Sequence, residues 1–453
     1  MKIAIAGANG FVGKSLLKSL KNEDVQIQAL SRNKRNDHDK NVHWVQADLF
    51  SFQSTLKALE GCDVAFYLVH SMLPSTRLFQ GNFQDTDLFL ADNFSKAAKI
   101  QNIKHIIYLG GLVPEGKISL HLESRREVED VLKASSIPVT ILRAGLVVGD
   151  GGSSFEILKN LVLNLPVMVL PRWTKSKTQA IFIDDLIRVL KFVMGNETCF
   201  NKTLNVVNGE CITYKDLIVE TASYFGKSGY FFPIPINYMA LSKWWVKLFG
   251  EAHYELVSPL LDSLECDLPM SSIPPQIEKL IEFRSFKKML EKIPKSKRVK
   301  PLKTSQSKIK GEKTNTVRSI QRLSSNIKSE KIIGEEYFNW LPKIMNGLLK
   351  ARREGEFISF HAIGLKKPLL ILKLIPEEIS IDRIKFYIIG GLLTKTTNTG
   401  WLEFRVVAGG QYVLASINEF IPALPWYFYK YTQAPIHSHV MNKFSDYLSK
   451  LDN

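Results

Sequence analysis

A chain of 453 residues, 45% of them apolar, is long enough and apolar enough for two or three packed domains, which excludes a wholly disordered protein. Its formal charge of +16 suggests a nucleic-acid binder until the charge is located: Arg284 to Lys331 holds 16 Lys and Arg against 3 acidic residues, a net of +13, leaving +3 elsewhere. No apolar run approaches the ~18 residues of a membrane span, and Cys62, Cys199, Cys211 and Cys266 have neither zinc nor disulfide-scaffold spacing, so a cytoplasmic protein without a metal site is expected.

In chain order, KIAIAG reads as a strand and VGKSLLKSLKN as a helix. VQIQALS is a strand, FQSTLKALEG a helix and DVAFYLVH a strand. The helix DLFLADNFSKAAKIQN, the strand HIIYLGG, the helix ESRREVEDVLKAS and the strand VTILRAG follow. Apolar strands alternating with helices predict an α/β fold, a doubly wound parallel sheet covered on both faces. TQAIFIDDLIRVLKFVM and KTLNVVNGECITYKDLIVETASYFG repeat the strand–helix theme less regularly. A basic stretch without apolar periodicity, 286–315, reads as a linker between a domain over 1–285 and another over 316–453. The second domain opens with TVRSIQRL and the helix EEYFNWLPKIMNGLL. It continues through the strand-like runs KPLLILKLI, IKFYIIGGLL, GWLEFRVVA and QYVLASINEF, and closes with the helix HSHVMNKFSDYLSKL, a pattern that predicts an α+β fold.

Gly7, Gly10 and Gly13 stand between the first strand and the first helix. There, Gly7 allows a tight turn, Gly10 lets backbone approach a pyrophosphate, and Gly13 lets the helix pack closely on the sheet, with phosphate meeting the helix N-terminus. The second strand ends Leu30-Ser31-Arg32-Asn33-Lys34-Arg35, without the carboxylate that would bind a ribose 2′-hydroxyl. Arg32 and Ser31 suit a 2′-phosphate, which favours NADP(H) over NAD(H); a merely solvated basic loop is the plainer alternative.

The opening AGANGFVG resembles that of the extended and atypical short-chain dehydrogenase/reductase superfamily, including its NmrA-like and epimerase-like branches, over roughly residues 1–290. The resemblance implies that Asp48, in QADLF, contacts adenine, that Asn93 is the family's helix asparagine, and that ILRAGLVVG follows its sixth strand. Motif and resemblance together place the cofactor on Gly7, Asn9, Gly10, Phe11, Val12, Gly13, Ser31, Arg32, Asp48, Leu49, Val69, His70, Asn93, Gly110 and Ala144. The family's Tyr-x-x-x-Lys centre is absent: His121 stands at the tyrosine position, Arg125 at the lysine position, and Leu109-Gly110-Gly111 ends the fifth strand without its serine. His121 is a candidate general acid and Arg125 a candidate ribose or phosphate holder; a plain charged helix start is the alternative.

The pieces VRSIQRL, GGLLTKTTNTGWLEFRVV and EFIPALPWYFYKYTQAPIHSHVMNKF resemble a C-terminal domain of unknown function fused to atypical reductases, and imply a helix-grip, lipid-transfer-like fold. Trp401, Phe404, Trp426, Tyr427, Tyr429 and Tyr431 would line an apolar pocket or fill a core. Two functions stay open: an NADP(H)-dependent oxidoreductase acting on a hydrophobic carbonyl or quinone-like small molecule, or a non-catalytic NADP(H) redox sensor or scaffold. No specific nucleic-acid partner is expected, and the basic linker suits at most a weak anionic partner.

Overall fold

The computed structural model describes residues 1–35, 39–71, 78–116, 118–165, 167–227, 230–234, 246, 254–268, 270–295, 316–374, 382–395 and 399–451. Two compact units divide the chain: Met1–Met72 with Asn93–Lys308, and Leu73–Asp92 with Ile309–Asn453.

The first unit begins with β1 (Lys2–Ala6), α1 (Phe11–Leu20), β2 (Gln26–Ser31), β3 (Val42–Gln46), α2 (Phe52–Ala58) and β4 (Val64–Tyr67). The chain then makes β5 (Leu78–Gln80), α3 (Phe83–Ile100), β6 (His105–Gly111), α4 (Leu120–Lys133), β7 (Val139–Ala144), β8 (Leu146–Val148) and α5 (Ser153–Asn164). It continues with β9 (Val167–Leu170), β10 (Lys177–Phe182), α6 (Ile183–Val193), β11 (Thr203–Val206), β12 (Cys211–Thr213), α7 (Tyr214–Tyr224) and β13 (Tyr230–Pro233).

Seven strands form one sheet in the order β11-β7-β6-β4-β1-β2-β3, and every pair is parallel. The order reverses at β1, whose neighbours are β2 and β4. This is the doubly wound arrangement, which binds ligands outside the carboxyl ends of its strands at the point of reversal. Strands apolar on both faces explain the sheet: Ile3, Ile5, Val64, Phe66, Ile107 and Leu142 all lie within 2% of complete burial. Tyr67 and Tyr108, within β4 and β6, are fully buried as well. Two smaller sheets, β12-β10-β8 and β13-β9, complete the unit.

The stretch expected to be a linker from residue 286 begins as folded structure. Phe286–Glu291 is a helix capped by Ser285, and Phe286, Met289 and Leu290 are fully buried in the main core. Its apolar spacing, at positions 1, 4 and 5 of one helical face, was hidden among lysines. Residues 296–315 lie outside the described ones.

The second unit is an eight-stranded sheet in the order β15-β16-β17-β18-β19-β20-β14-β5. Its strands after β5 are β14 (Val317–Leu323), β15 (Leu349–Glu354), β16 (Phe357–Ala362), β17 (Leu370–Leu374), β18 (Arg383–Gly390), β19 (Trp401–Val407) and β20 (Tyr412–Phe420). All neighbours are antiparallel except β14 and β5. The helices Glu330–Ile344 and Gln433–Leu448 pack on one face through Ile333, Tyr337, Trp340, Met441 and Phe444, against Phe386, Leu402 and Phe404. Of the aromatics in question, Phe404 and Tyr429 are core, Trp401 is half-buried, and Tyr427 and Tyr431 are exposed. The Trp426 side chain lies outside the described ones.

Strand alternation puts Glu403 and Arg405 on the sheet's other face. Both are within 1% of full burial. Arg405 donates to Glu403 Oε1 at 2.8 Å and to Asp92 Oδ2 at 2.8 Å, and its guanidinium lies 3.8 Å from the Phe89 ring centroid. Asp85 pairs with Arg322 at 3.0 Å. Burial alone would raise the Glu403 carboxyl, but Arg405, Arg383 and Lys385 outweigh it and hold the group below its ordinary range. Phe89, Asp85 and Asp92 come from the first part of α3, so a segment read as Rossmann sequence belongs to this unit.

Candidate functional site

β1 delivers the chain into a loop that only glycine can make. Gly7 has φ +87°, and a Cβ there would meet the Leu68 carbonyl oxygen at 2.5 Å. A Cβ on Gly13 would meet the Gly7 oxygen at 2.2 Å, and one on Gly10 would approach that same oxygen at 3.2 Å. Gly10 N donates to Gly7 O at 2.9 Å, closing the turn, and Gly10 then caps α1 without any side-chain hydrogen bond. Backbone N–H groups at that end are thus available to a phosphate, and the first turn of α1 carries no acid to repel one.

The neighbouring strand tip is tied to this loop. Asn9 Nδ2 donates to Ser31 Oγ at 2.7 Å, and Asn33 N donates to the same oxygen at 3.2 Å. Asn9 Oδ1 is buried with no hydrogen-bond partner among the described residues. A cradle that any Cβ would fill and a buried acceptor left over are features that fit a bound dinucleotide. Arg32 is exposed beyond Ser31, and Arg35 lies 4.5 Å from the Trp44 ring. Phe11 and Val12 are half-buried in the first turn of α1. The Phe11 ring packs under Gly149 and Gly152, where a Cβ would meet it at 2.7 and 2.9 Å. The loop Gly149-Asp150-Gly151-Gly152 therefore lies beside the glycine loop; sequence reading reached its first residue in ILRAGLVVG but not the GDGG turn signal that follows.

After β3, Asp48 shapes its own turn: its Oδ1 accepts from Phe50 N at 3.1 Å, and its backbone N donates to Ser54 Oγ at 3.2 Å. Leu49 is buried. Asn93 is 1% exposed and gives its amide to the Leu49 and Phe50 carbonyls at 2.8 and 3.0 Å. It braces the loop that carries Asp48.

Val69 and His70 follow β4 at the point of reversal, Val69 half-buried and His70 exposed. Gly110 ends β6 where a Cβ would come within 3.1 Å of the Tyr108 ring and 3.2 Å of Glu129 Oε1. A serine cannot sit there without moving the buried Glu129, which holds Arg143 through two bonds of 2.9 and 2.6 Å. Ala144 ends β7 in register with Gly111. Ser119 caps α4 by accepting from Leu122 N and lies 2.8 Å from Ser263 Oγ. This fixes the helix turn that carries half-buried His121. The Arg125 carbonyl accepts from Tyr108 Oη at 3.3 Å.

His70, His121 and Arg125 come together. Crowding by protein atoms lowers the pKa of both imidazoles, and the Arg125 cation lowers them further; His121 is also lowered by His70. Its surroundings hold the His121 imidazole well below its ordinary range. The cluster offers one permanent cation and two neutral rings, a set suited to receiving negative charge.

Residues 7–161, about a third of the chain, match the NAD(P)H-binding family model. The auxiliary protein GraX of Staphylococcus aureus is 33% identical over 113 residues, 24% of this chain and 36% of GraX, so the aligned part spans about a third of that relative's length. The UDP-glucose 4-epimerase of Vibrio cholerae is 22% identical over 59% of this chain and 87% of its own. Among solved structures, a nucleoside-diphosphate-sugar epimerase of Staphylococcus aureus is similar with a TM-score of 0.52 at 17% identity, covering 64% of this chain and 100% of that one. The Citrobacter sp. triphenylmethane reductase complexed with NADP(H) is similar with a TM-score of 0.50 at 19% identity, covering 64% and 99%. The N-terminal part is thus a Rossmann domain that matches an NAD(P)H-binding family, joined to a mostly antiparallel sheet domain. No described helix is long and apolar enough to cross a membrane.

Proposed function

We propose that the chain is an NADP(H)-dependent oxidoreductase of the atypical short-chain type that reduces a hydrophobic carbonyl or quinone-like small molecule. The carrying observation is the pairing of a phosphate-ready glycine loop with the cluster of Arg125, His121 and His70 at the same edge of the sheet. Gly7 to Gly13 and the first turn of α1 would hold the pyrophosphate, and Arg32 and Ser31 the 2′-phosphate. The bound dinucleotide would supply hydride chemistry. As a carbonyl carbon gains hydride, its C=O π pair moves to oxygen, and Arg125 stabilises that negative charge. The same charge raises the His121 pKa, so the ring takes up a solvent proton and passes it to the oxygen. NADP(H) in the similar Citrobacter reductase supports the cofactor preference. The second unit, an antiparallel sheet with helices on one face, supports a helix-grip-like domain contributing to an apolar ligand's capture.

Gly110-Gly111 in place of the family's serine, and His121 in place of its tyrosine, favour a second reading, a redox sensor that binds NADP(H) without turnover. Titrating the protein with NADPH and NADH, then adding aldehydes, ketones and quinones, separates the two. NADPH oxidation that His121→Ala abolishes supports the enzyme; tight binding with no oxidation supports the sensor; binding of neither removes both.

A further inference from the structure

We propose that the second unit docks through one end of its sheet onto an anionic lipid surface. That end is built from four chain segments joined by backbone hydrogen bonds. Ile363 N donates to Leu348 O at 3.0 Å, Leu392 N to Pro368 O at 3.0 Å, Ala423 N to Leu393 O at 2.8 Å and Lys395 N to Ile421 O at 2.9 Å. In the meander, β16, β18 and β20 finish there, and β15, β17 and β19 start there.

Apolar side chains crowd this end in the open. Tyr431 is 75% exposed, Ile363 63%, Leu348 61%, Phe428 54%, Leu365 47% and Leu392 43%. Scattered exposed apolar residues are ordinary, but a contiguous set on linked loops marks an interaction surface. The charge on the same segments has one sign. Residues 343–350, 362–369, 391–400 and 420–436 contain six lysines, Lys343, Lys350, Lys366, Lys367, Lys395 and Lys430, and no Asp or Glu. Val317, the first residue of β14, pairs with Phe420 at the end of β20 and so belongs to this end too.

Aromatic and aliphatic groups ringed by lysine are the composition that settles at a bilayer interface, with rings at headgroup level and cations against anionic lipid. A second copy of the chain fits poorly, since a symmetric pairing sets lysines against lysines. Nucleic acid would leave the aliphatic side chains unsatisfied.

The test is sedimentation of the full chain with phosphatidylglycerol vesicles and with phosphatidylcholine vesicles. The expected result is at least about tenfold stronger partitioning to phosphatidylglycerol. The pair Phe428→Ser and Tyr431→Ser should weaken it by about tenfold, and Lys366→Glu with Lys367→Glu by a similar factor with a flatter salt dependence. All four side chains are exposed, so circular dichroism should show each variant folded. Equal partitioning to both lipids overturns the proposal. So does binding untouched by these substitutions, which would assign the attraction to the basic stretch 287–315, and so does a solution dimer that Phe428→Ser dissociates.

Discussion

Asn9 and Ser31 link the glycine loop after β1 to the tip of β2: a single 2.7 Å hydrogen bond from Asn9 Nδ2 to Ser31 Oγ spans the place where adenosine ribose would lie in a doubly wound sheet. Replacing Ser31 by Ala removes the acceptor for both Asn9 and Asn33. Hydrogen bonds of this kind contribute about 1 kcal/mol each to stability, so the melting temperature should fall by about 2–4 °C, and loss of the hydroxyl proposed to meet the 2′-phosphate should weaken NADPH binding by roughly fivefold. Fluorescence titration beside a thermal melt checks both.

Arg32→Glu separates the two dinucleotides. Arg32 stands exposed just beyond Ser31, where a 2′-phosphate would be met by charge. NADPH binding should weaken by about a hundredfold and NADH binding by much less, a charge-assisted bond being worth up to about 3 kcal/mol. Equal losses for both would remove Arg32 from cofactor choice.

Gly13→Ala sets helix propensity against sterics. Alanine favours a helix by about 1 kcal/mol over glycine. The new Cβ would fall 2.2 Å from the Gly7 carbonyl oxygen, a backbone atom that cannot swing aside. The clash wins: stability should drop by about 3 kcal/mol and cofactor binding should vanish. Denaturant melts and the NADPH titration measure the two effects.

His105 makes the fold acid-sensitive. It is fully buried, its Nδ1 accepts from Gly195 N at 3.3 Å, and its Nε2 therefore carries the proton given to Thr140 Oγ1 at 2.8 Å. Burial pushes its pKa down to about 4. The unfolded chain, with a pKa near 6.5, binds the proton first, so stability is full above pH ~6.5 and falls through the window down to pH ~4, by about 3 kcal/mol. Urea midpoints measured across that range should fall with pH, and His105→Gln should flatten the slope.

Arg405→Met tests the second unit's buried charges. It leaves Glu403 and Asp92 in the interior without their guanidinium. Breaking such a group costs about 3–5 kcal/mol, whereas removing every partner together costs less. A triple change of Arg405, Glu403 and Asp92 to apolar residues should melt above the single variant.

The parallel sheet was legible because β1, β4, β6 and β7 are buried on both faces and therefore read as unbroken apolar runs. β3 was not: it is the outer strand, VHWVQ, with His43 and Gln46 facing solvent, so it lacks such a run. The hairpin of β15 and β16 hid for the same reason, behind Arg352, Arg353 and Glu354 at the other sheet's margin. In the site, the glycine loop announces itself locally, because backbone conformation restricts residue type at each position. The grouping of His70, His121 and Arg125 was foreshadowed by strand topology, yet the depression of both imidazoles depends on three-dimensional crowding that no local window contains. The burial of Arg405 beside Phe89 and Asp92 had no local signal, since Asp92 is 313 residues upstream and Phe89 further still.

That separation has a consequence for biosynthesis. Asp92 emerges from the ribosome 313 residues before Arg405. At about 5–20 residues per second, the interval is on the order of 15–60 s. For all that time β5 and the start of α3 lack the sheet they belong to, and two carboxylates lack their cations. The second unit is thus not a tail appended to a finished Rossmann half. Its first pieces are laid down early and wait for the last strands, so a chain that stops at the basic stretch would carry an exposed, chaperone-seeking remnant.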